Sequence, residues 1–262
     1  MVEPTAEISV PKRVNKKIPF ILISTVVIIV LAFFFLAIFP YLVREPSREL
    51  ASLNWSGYSA VSNLDNPQLG ITGVNASWIV PSIKVSVDNS FSAEWIGIGG
   101  QFDRTLIQTG TGQDSIGGTF VYRSWYELFP GSLVNIDTLS VYAGDKITAS
   151  ISLVDANAST WRITLSDDTK KQSFSVDAFH VSSALSAEWI VERPTVAGRT
   201  ETLADFGQVT FTECRATING NVGTIASFPS NRITMDNDQN VPLVETSGLS
   251  GDGSSFTVRY LG

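Results

Sequence analysis

With one cysteine, Cys214, this chain of 262 residues cannot close a disulfide within itself. Its stability must come from a packed core rather than from covalent staples. Cys214 lies in the strand-like run Thr210-Phe211-Thr212-Glu213-Cys214 with no obvious histidine partner, so it reads as a core residue rather than a nucleophile. His180 is the only histidine. Histidine-rich zinc sites are therefore unavailable, and His180 itself reads as a loop or half-buried residue rather than a catalytic base. No G-x-S-x-G elbow supports a serine hydrolase, and the glycines Gly97, Gly99 and Gly100 lack the spacing of a phosphate loop. Positive charge is scarce too. From Ser47 onward 13 Lys and Arg stand against 22 Asp and Glu, a formal charge of −9, which argues against nucleic acid as a partner. An enzyme built from this inventory has to work with carboxylates and amides.

Lysine and glutamate are thin on the ground after Ser47 while serine and threonine abound, so the surface keeps its hydrogen bonding when carboxylates protonate. That composition suits an acid-tolerant exterior domain and equally an ordinary Ser/Thr-rich β-surface. Only eight glutamates remain in this part, and four of them, Glu94, Glu127, Glu188 and Glu192, sit in aromatic, strand-like contexts.

Ile18 to Phe39 is 22 residues without a charge, enough to cross about 30 Å of hydrocarbon as a helix. It exceeds the apolar stretch of a signal peptide, and no small-residue cleavage site follows it, so it reads as an anchor. Lys12, Arg13, Lys16 and Lys17 precede the run, against Arg44 and Arg48 after it. The excess of positive charge predicts a single-pass protein of the cell membrane with residues 1–17 as a cytoplasmic tail, 18–39 as the transmembrane helix, 40–53 as a juxtamembrane linker and the rest on the extracellular side.

From Asn54 to Gly262 short alternating or β-branched runs are separated by turn residues such as Ala143-Gly144-Asp145 and Asn219-Gly220-Asn221. Ile147 to Leu153 is the cleanest period-2 stretch and predicts a strand with one wet face. Val134 to Val141 and Leu203 to Ala216 also read as strands, and Ala178 to Leu185 could form a turn or two of helix. The expected fold is one all-β domain, a two-sheet antiparallel sandwich.

Within it, Ser186-Ala187-Glu188-Trp189-Ile190-Val191-Glu192 stands out. Read as a strand, Glu188, Ile190 and Glu192 share one face and Ala187, Trp189 and Val191 the other. A glutamate in an apolar strand costs several kcal/mol if buried unpaired, so it needs a partner, such as Arg193, or a purpose. Ser92-Ala93-Glu94-Trp95-Ile96 echoes it, so Glu94 competes for any role given to Glu188. Gln108 likewise interrupts an apolar strand in Leu106-Ile107-Gln108-Thr109-Gly110, and Trp125, Glu127 and Phe129 share a face in Trp125-Tyr126-Glu127-Leu128-Phe129-Pro130.

These stretches, with Asn54-Trp55-Ser56-Gly57-Tyr58, Trp95-Ile96-Gly97-Ile98-Gly99-Gly100, Ala143-Gly144-Asp145 and Ala204-Asp205-Phe206-Gly207, follow in order the motifs of the glutamic peptidases, or eqolisins, which the chain resembles from Asn54 onward. The resemblance implies a concanavalin A-like sandwich of jelly-roll type with its active site on the concave face of one sheet. It implies Gln108 and Glu188 as the catalytic pair and Trp55, Trp95, Trp125 and Glu127 as groove residues. It further implies polypeptide substrates, a monomeric catalytic domain, and no metal or cofactor. Where the family commonly has aspartates, this chain has Gly99 and Arg123, which touches subsite preference and pH optimum. Fungal members are secreted with disulfides, whereas this chain has an expected anchor and one cysteine. Two other readings use the same residues: a carbohydrate-binding sandwich with an aromatic platform, and a glycosidase pairing Glu188 with Glu127 or Glu94. Gln108 separates them, since neither needs that amide at the centre of the site.

Overall fold

The computed structural model describes residues 28–33, 46–86, 88–196 and 198–262. Residues 28–33 are helical and belong to a compact unit, Met1–Val43, separate from the unit Arg44–Gly262. The expected tail, 1–17, and most of the expected spanning segment, 18–39, lie outside the described residues. Among the described residues no helix is long and apolar enough to cross a membrane.

The larger unit is built from strands. In chain order they are β1 (Ser47–Ser52), β2 (Trp55–Val61), β3 (Ile71–Ile79), β4 (Ser90–Gly99), β5 (Leu106–Ile116), β6 (Thr119–Phe129), β7 (Val134–Asn135), β8 (Lys146–Asp155) and β9 (Thr160–Asp167). There follow β10 (Gln172–Phe179), β11 (Ser186–Glu192), β12 (Thr195–Val196), β13 (Arg199–Thr200), β14 (Gln208–Ile218), β15 (Asn221–Thr224), β16 (Ser230–Met235), β17 (Val244–Thr246) and β18 (Phe256–Tyr260). One sheet has the order β1-β16-β2-β11-β4-β5-β6-β7 and the other β10-β9-β8-β3-β14-β18-β17, with β15 beside β14. All the pairings are antiparallel except β1 with β16. This is the two-sheet, all-β sandwich that the strand spacing predicts.

The period-2 stretch behaves as expected: Ile147, Ala149 and Ile151 are buried while Thr148, Ser150 and Ser152 are half-buried. Those three meet Ile96, Ile98, Trp189 and Val191 of the other sheet in the main core, where each fully buried large side chain stabilises the fold by roughly 1.5–3 kcal/mol. In β11 the alternation sends Ala187, Trp189 and Val191 into this core and Ile190 into a second cluster with Ala93, Trp95, Leu106, Trp125 and Ile233, on the sheet's other face. Strands β4 and β5 are buried on both sides, although β5 carries six polar residues among its eleven.

Four stretches differ from the sequence reading. The expected strand from Leu203 begins only at Gln208, with Leu203 itself in an isolated bridge to Phe91. Residues 47–52 of the expected linker form β1, because Leu50 packs against the second cluster and the strand pairs with β16. The stretch 180–185 makes no helix: β10 runs to Phe179, and the turn after it is fixed by Ala184, at φ 46°, whose carbonyl accepts from the Ile71 N–H. Only Val134–Asn135 of the run to Val141 is strand; beyond it Ile136 and Leu139 are buried on a turn.

Candidate active site

Strand register assembles a transverse row on the eight-stranded sheet that contains β11. Asn231 of β16 lies opposite Ser59 of β2, Ser59 opposite Glu188 of β11, Glu188 opposite Gly97 of β4, Gly97 opposite Gln108 of β5, and Gln108 opposite Glu127 of β6. Residues directly opposite in antiparallel strands project from the same face. The second cluster holds the row's neighbours two residues along, Ile190, Trp95, Leu106 and Trp125, so the row projects from the face that carries this cluster. Glu188 and Gln108 are thus two strand spacings apart, about 10 Å between Cα atoms, with a residue that has no side chain between them. A Cβ on Gly97 would lie 2.8 Å from Trp95 Cζ3 and 2.9 Å from Leu106 Cδ1.

Gln108 is held from one side. Its Nε2 donates to Glu127 Oε2 at 2.6 Å, which turns its Oε1 away from β6. That Oε1 is buried and has no partner. Burial raises the Glu127 carboxyl above its ordinary range and the Gln108 amide opposes the shift. Glu188 is fully buried, and both its carboxylate oxygens lack partners. Burial pushes its carboxyl well above the ordinary range and the charge of Asp103 adds to this; the Ser186 hydroxyl opposes it without reaching hydrogen-bonding geometry. Arg193 is not its partner, because that guanidinium bonds the Glu201 carbonyl.

The other groove residues form the floor. Trp95 and Trp125 are buried, at 0% and 3% exposure, and Trp55 is half-buried, meeting Trp95 edge to face at 5.1 Å. Trp95 Nε1 donates at 2.7 Å to Oε2 of Glu192, which shares a face with Glu188. Burial raises the Glu192 carboxyl to about 7 against that bond.

Glu94 is not in the groove. The same alternation turns it between the sheets, where Oε2 accepts from Thr111 Oγ1 at 3.3 Å and Oε1 has no partner. Glu94 and Glu188 therefore lie on opposite faces of one sheet and cannot flank one glycosidic bond, which removes that version of the glycosidase reading. Cys214 is buried and His180 is half-buried after β10. At Gly99, φ is 89° and an added Cβ would sit 2.2 Å from the Thr105 carbonyl oxygen. The departure from aspartate there goes with a backbone that side chains rarely adopt. Arg123 pairs with the buried Asp114, its guanidinium lying over Gly112.

Three polar residues beside Glu188 carry no sequence signal. Ser59 and Asn231 share its row, and Gln101, from the turn after β4, bonds Ser59. Serine and asparagine in strands are unremarkable by letter, and only the register brings them to the carboxylate.

The Glu188 carboxyl and the Gln108 amide thus project from one face of an antiparallel sheet, separated by a glycine. The family model described as the peptidase A4 family matches residues 53–260, and the chain belongs to that family. Aspergillopepsin-2 of Aspergillus niger is 27% identical over an alignment of 237 residues that covers 82% of this chain and 80% of that protein. The crystal structure of scytalido-glutamic peptidase with a transition state analog inhibitor superposes with a TM-score of 0.67 at 21% identity, covering 80% of this chain and 99% of that one. Aspergilloglutamic peptidase from Aspergillus niger gives 0.58 at 28% identity, over 66% of this chain and 99% of that one.

Proposed function

We propose that this is an acid-acting endopeptidase in which Glu188 and Gln108 activate one water above Gly97. The reading is carried by two buried acceptors without partners, the Glu188 carboxylate and Gln108 Oε1, flanking a position with no side chain. A single water donating one proton to each satisfies both. Ionised Glu188 takes a proton from that water as it attacks the scissile carbonyl. The second N–H of Gln108 Nε2, not engaged by Glu127, stabilises the developing oxyanion, and Glu188 then returns its proton to the departing amine. Glu127 fixes the amide orientation this requires, since a flipped amide would set two oxygens against each other. The tryptophan floor supplies an apolar bed for an extended peptide.

The test is hydrolysis of an unfolded protein by the full-length chain between about pH 2 and pH 7, beside Glu188→Gln and Gln108→Ala. Gly97→Ala probes the row between Glu188 and Gln108, because its methyl group would force Trp95 Cζ3 and Leu106 Cδ1, 2.8 and 2.9 Å from it, to shift. We expect kcat/KM to fall by about 100-fold with the fold retained, since a small misplacement of reacting groups is that costly. Full activity in Gly97→Ala would place the attacking water elsewhere.

We infer in addition that residues 18–39 anchor the enzyme in the cell membrane, with the N-terminus cytoplasmic and the catalytic domain outside. The uncharged run and the four basic residues before it support this. The full chain should resist alkaline carbonate extraction from membranes, and a chain starting at Ser47 should not. Release of the full chain by carbonate would overturn the anchor.

A further inference from the structure

The base of the proposed reaction sits where its protonated form is favoured, yet it must ionise to accept a proton from water. A hydrogen-bond donor has to reach it. From β4 Gly97 offers no side chain, and from β5 Gln108 presents an acceptor. Along β11, Glu192 is occupied by Trp95 and Ser186 falls short of bonding geometry. Among the described residues, the charges that act on Glu188 and its neighbour Glu192 come from acids, Asp103 and Glu127, and no cation bonds Glu188. From β2, however, Ser59 stands directly opposite Glu188, and side chains so placed have Cβ atoms about 5 Å apart. Ser59 Oγ accepts from Asn231 Nδ2 at 3.2 Å and donates to Gln101 Oε1. A hydroxyl that already accepts one bond has a single proton to give, and here it can turn to either of two acceptors.

We propose that Ser59 is a positioning residue for Glu188: its hydroxyl, held by Asn231, gives its proton to Gln101 while the groove is empty and to the Glu188 carboxylate once a peptide displaces Gln101. The inference rests on Glu188 acting as the base. Gln101 is half-buried and comes from the segment between β4 and β5, outside any strand, so an incoming chain can move it without disturbing one. Substrate binding then switches on the donor that the ionised base needs, and the enzyme is armed only when loaded.

The experiment uses the full-length chain and a quenched fluorescent peptide, with kcat and kcat/KM measured against pH for wild type, Ser59→Ala, Ser59→Thr and Gln101→Ala, and Glu188→Gln as control. The acid limb of kcat/KM reports the free enzyme and that of kcat the loaded one. In the wild type the kcat limb should lie at lower pH than the kcat/KM limb. Ser59→Ala should move the kcat limb up by about one pH unit, which lowers kcat about tenfold on that limb, with KM little changed. Ser59→Thr, which keeps the hydroxyl, should restore it. Gln101→Ala should move the kcat/KM limb down, opposite to Ser59→Ala, because the hydroxyl is freed before substrate arrives. A merely structural role for either residue would not shift the limbs in opposite directions. Wild-type limbs in Ser59→Ala, or shifts of the same sign in both variants, overturn the proposal. Should Ser59→Ala fail to fold, the absence of a downward shift in Gln101→Ala overturns it alone. Activity surviving in Glu188→Gln would instead remove the base on which the inference rests.

Discussion

Replacing Glu188 by glutamine is expected to lower kcat by about 10³- to 10⁴-fold, the loss of a general base, while leaving a folded protein. The two halves of this result have one cause. Glu188 is fully buried with neither oxygen paired, so a neutral amide of the same shape removes the ionisable group without removing a native bond. The variant should be at least as stable as the wild type in urea at neutral pH, where the buried carboxyl is hardest to keep in its folded setting. Gln108→Ala should cost about 10²- to 10³-fold, the range for one oxyanion donor, and it also leaves Glu127 without the amide it accepts from. A Glu188→Gln enzyme that keeps a tenth of wild-type activity would sink the mechanism. Inactivity accompanied by unfolding would not count in its favour, so circular dichroism and a urea midpoint belong with the assay.

The second large effect is on stability, and it arises from Glu94. Burial between the sheets raises this carboxyl from 4.5 to about 8, opposed by the nearby Gln113 amide and by the bond from Thr111. The folded chain therefore holds a proton that the unfolded chain releases near its ordinary value. Stability from this group is complete below about pH 4.5, declines as pH rises at up to about 1.4 kcal/mol per unit, and is lost by about pH 8, at most about 5 kcal/mol in all. Glu94→Gln cannot ionise, and its amide can keep the contact with Thr111. Urea denaturation at pH 5 and pH 9 should show the wild type losing several kcal/mol and the variant markedly less. Equal losses in both would mean that Glu94 ionises in the folded state at little cost. Glu188 and Glu192, also raised by burial, pull in the same direction, so the domain carries a set of acids that favour the folded state in acid. This gives a physical basis for acid tolerance that surface composition by itself left open.

How much of this could be read from the letters varies from residue to residue. Period-2 alternation placed Glu188, Ile190 and Glu192 on one face and Ala187, Trp189 and Val191 on the other, and the two clusters divide β11 in that way. Alternation is local, set by the backbone of one strand, so a single sequence reveals it. The same rule would have separated Glu94 from Trp95 and Gly97, but without knowing which face of β4 meets the core it could not say which of them lies in the groove. Asn231 and Ser59 were beyond reach, because 172 residues separate them and only the β16–β2 register brings them together. The strand at 47–52 was missed for a related reason: its polar sequence gives no alternation signal, and it is a strand because β16 offers it an edge and the second cluster takes Leu50.

The sequence by itself determined the fold class, the strand faces and, through seven motifs in order, the family. Those depend on local pattern and on residue type. The tertiary structure decided which polar residues share a row, which glutamate faces the groove, and how far each carboxyl is pushed from its ordinary range. Those depend on inter-strand register and desolvation, which come into being only when distant strands pair and exclude water between them.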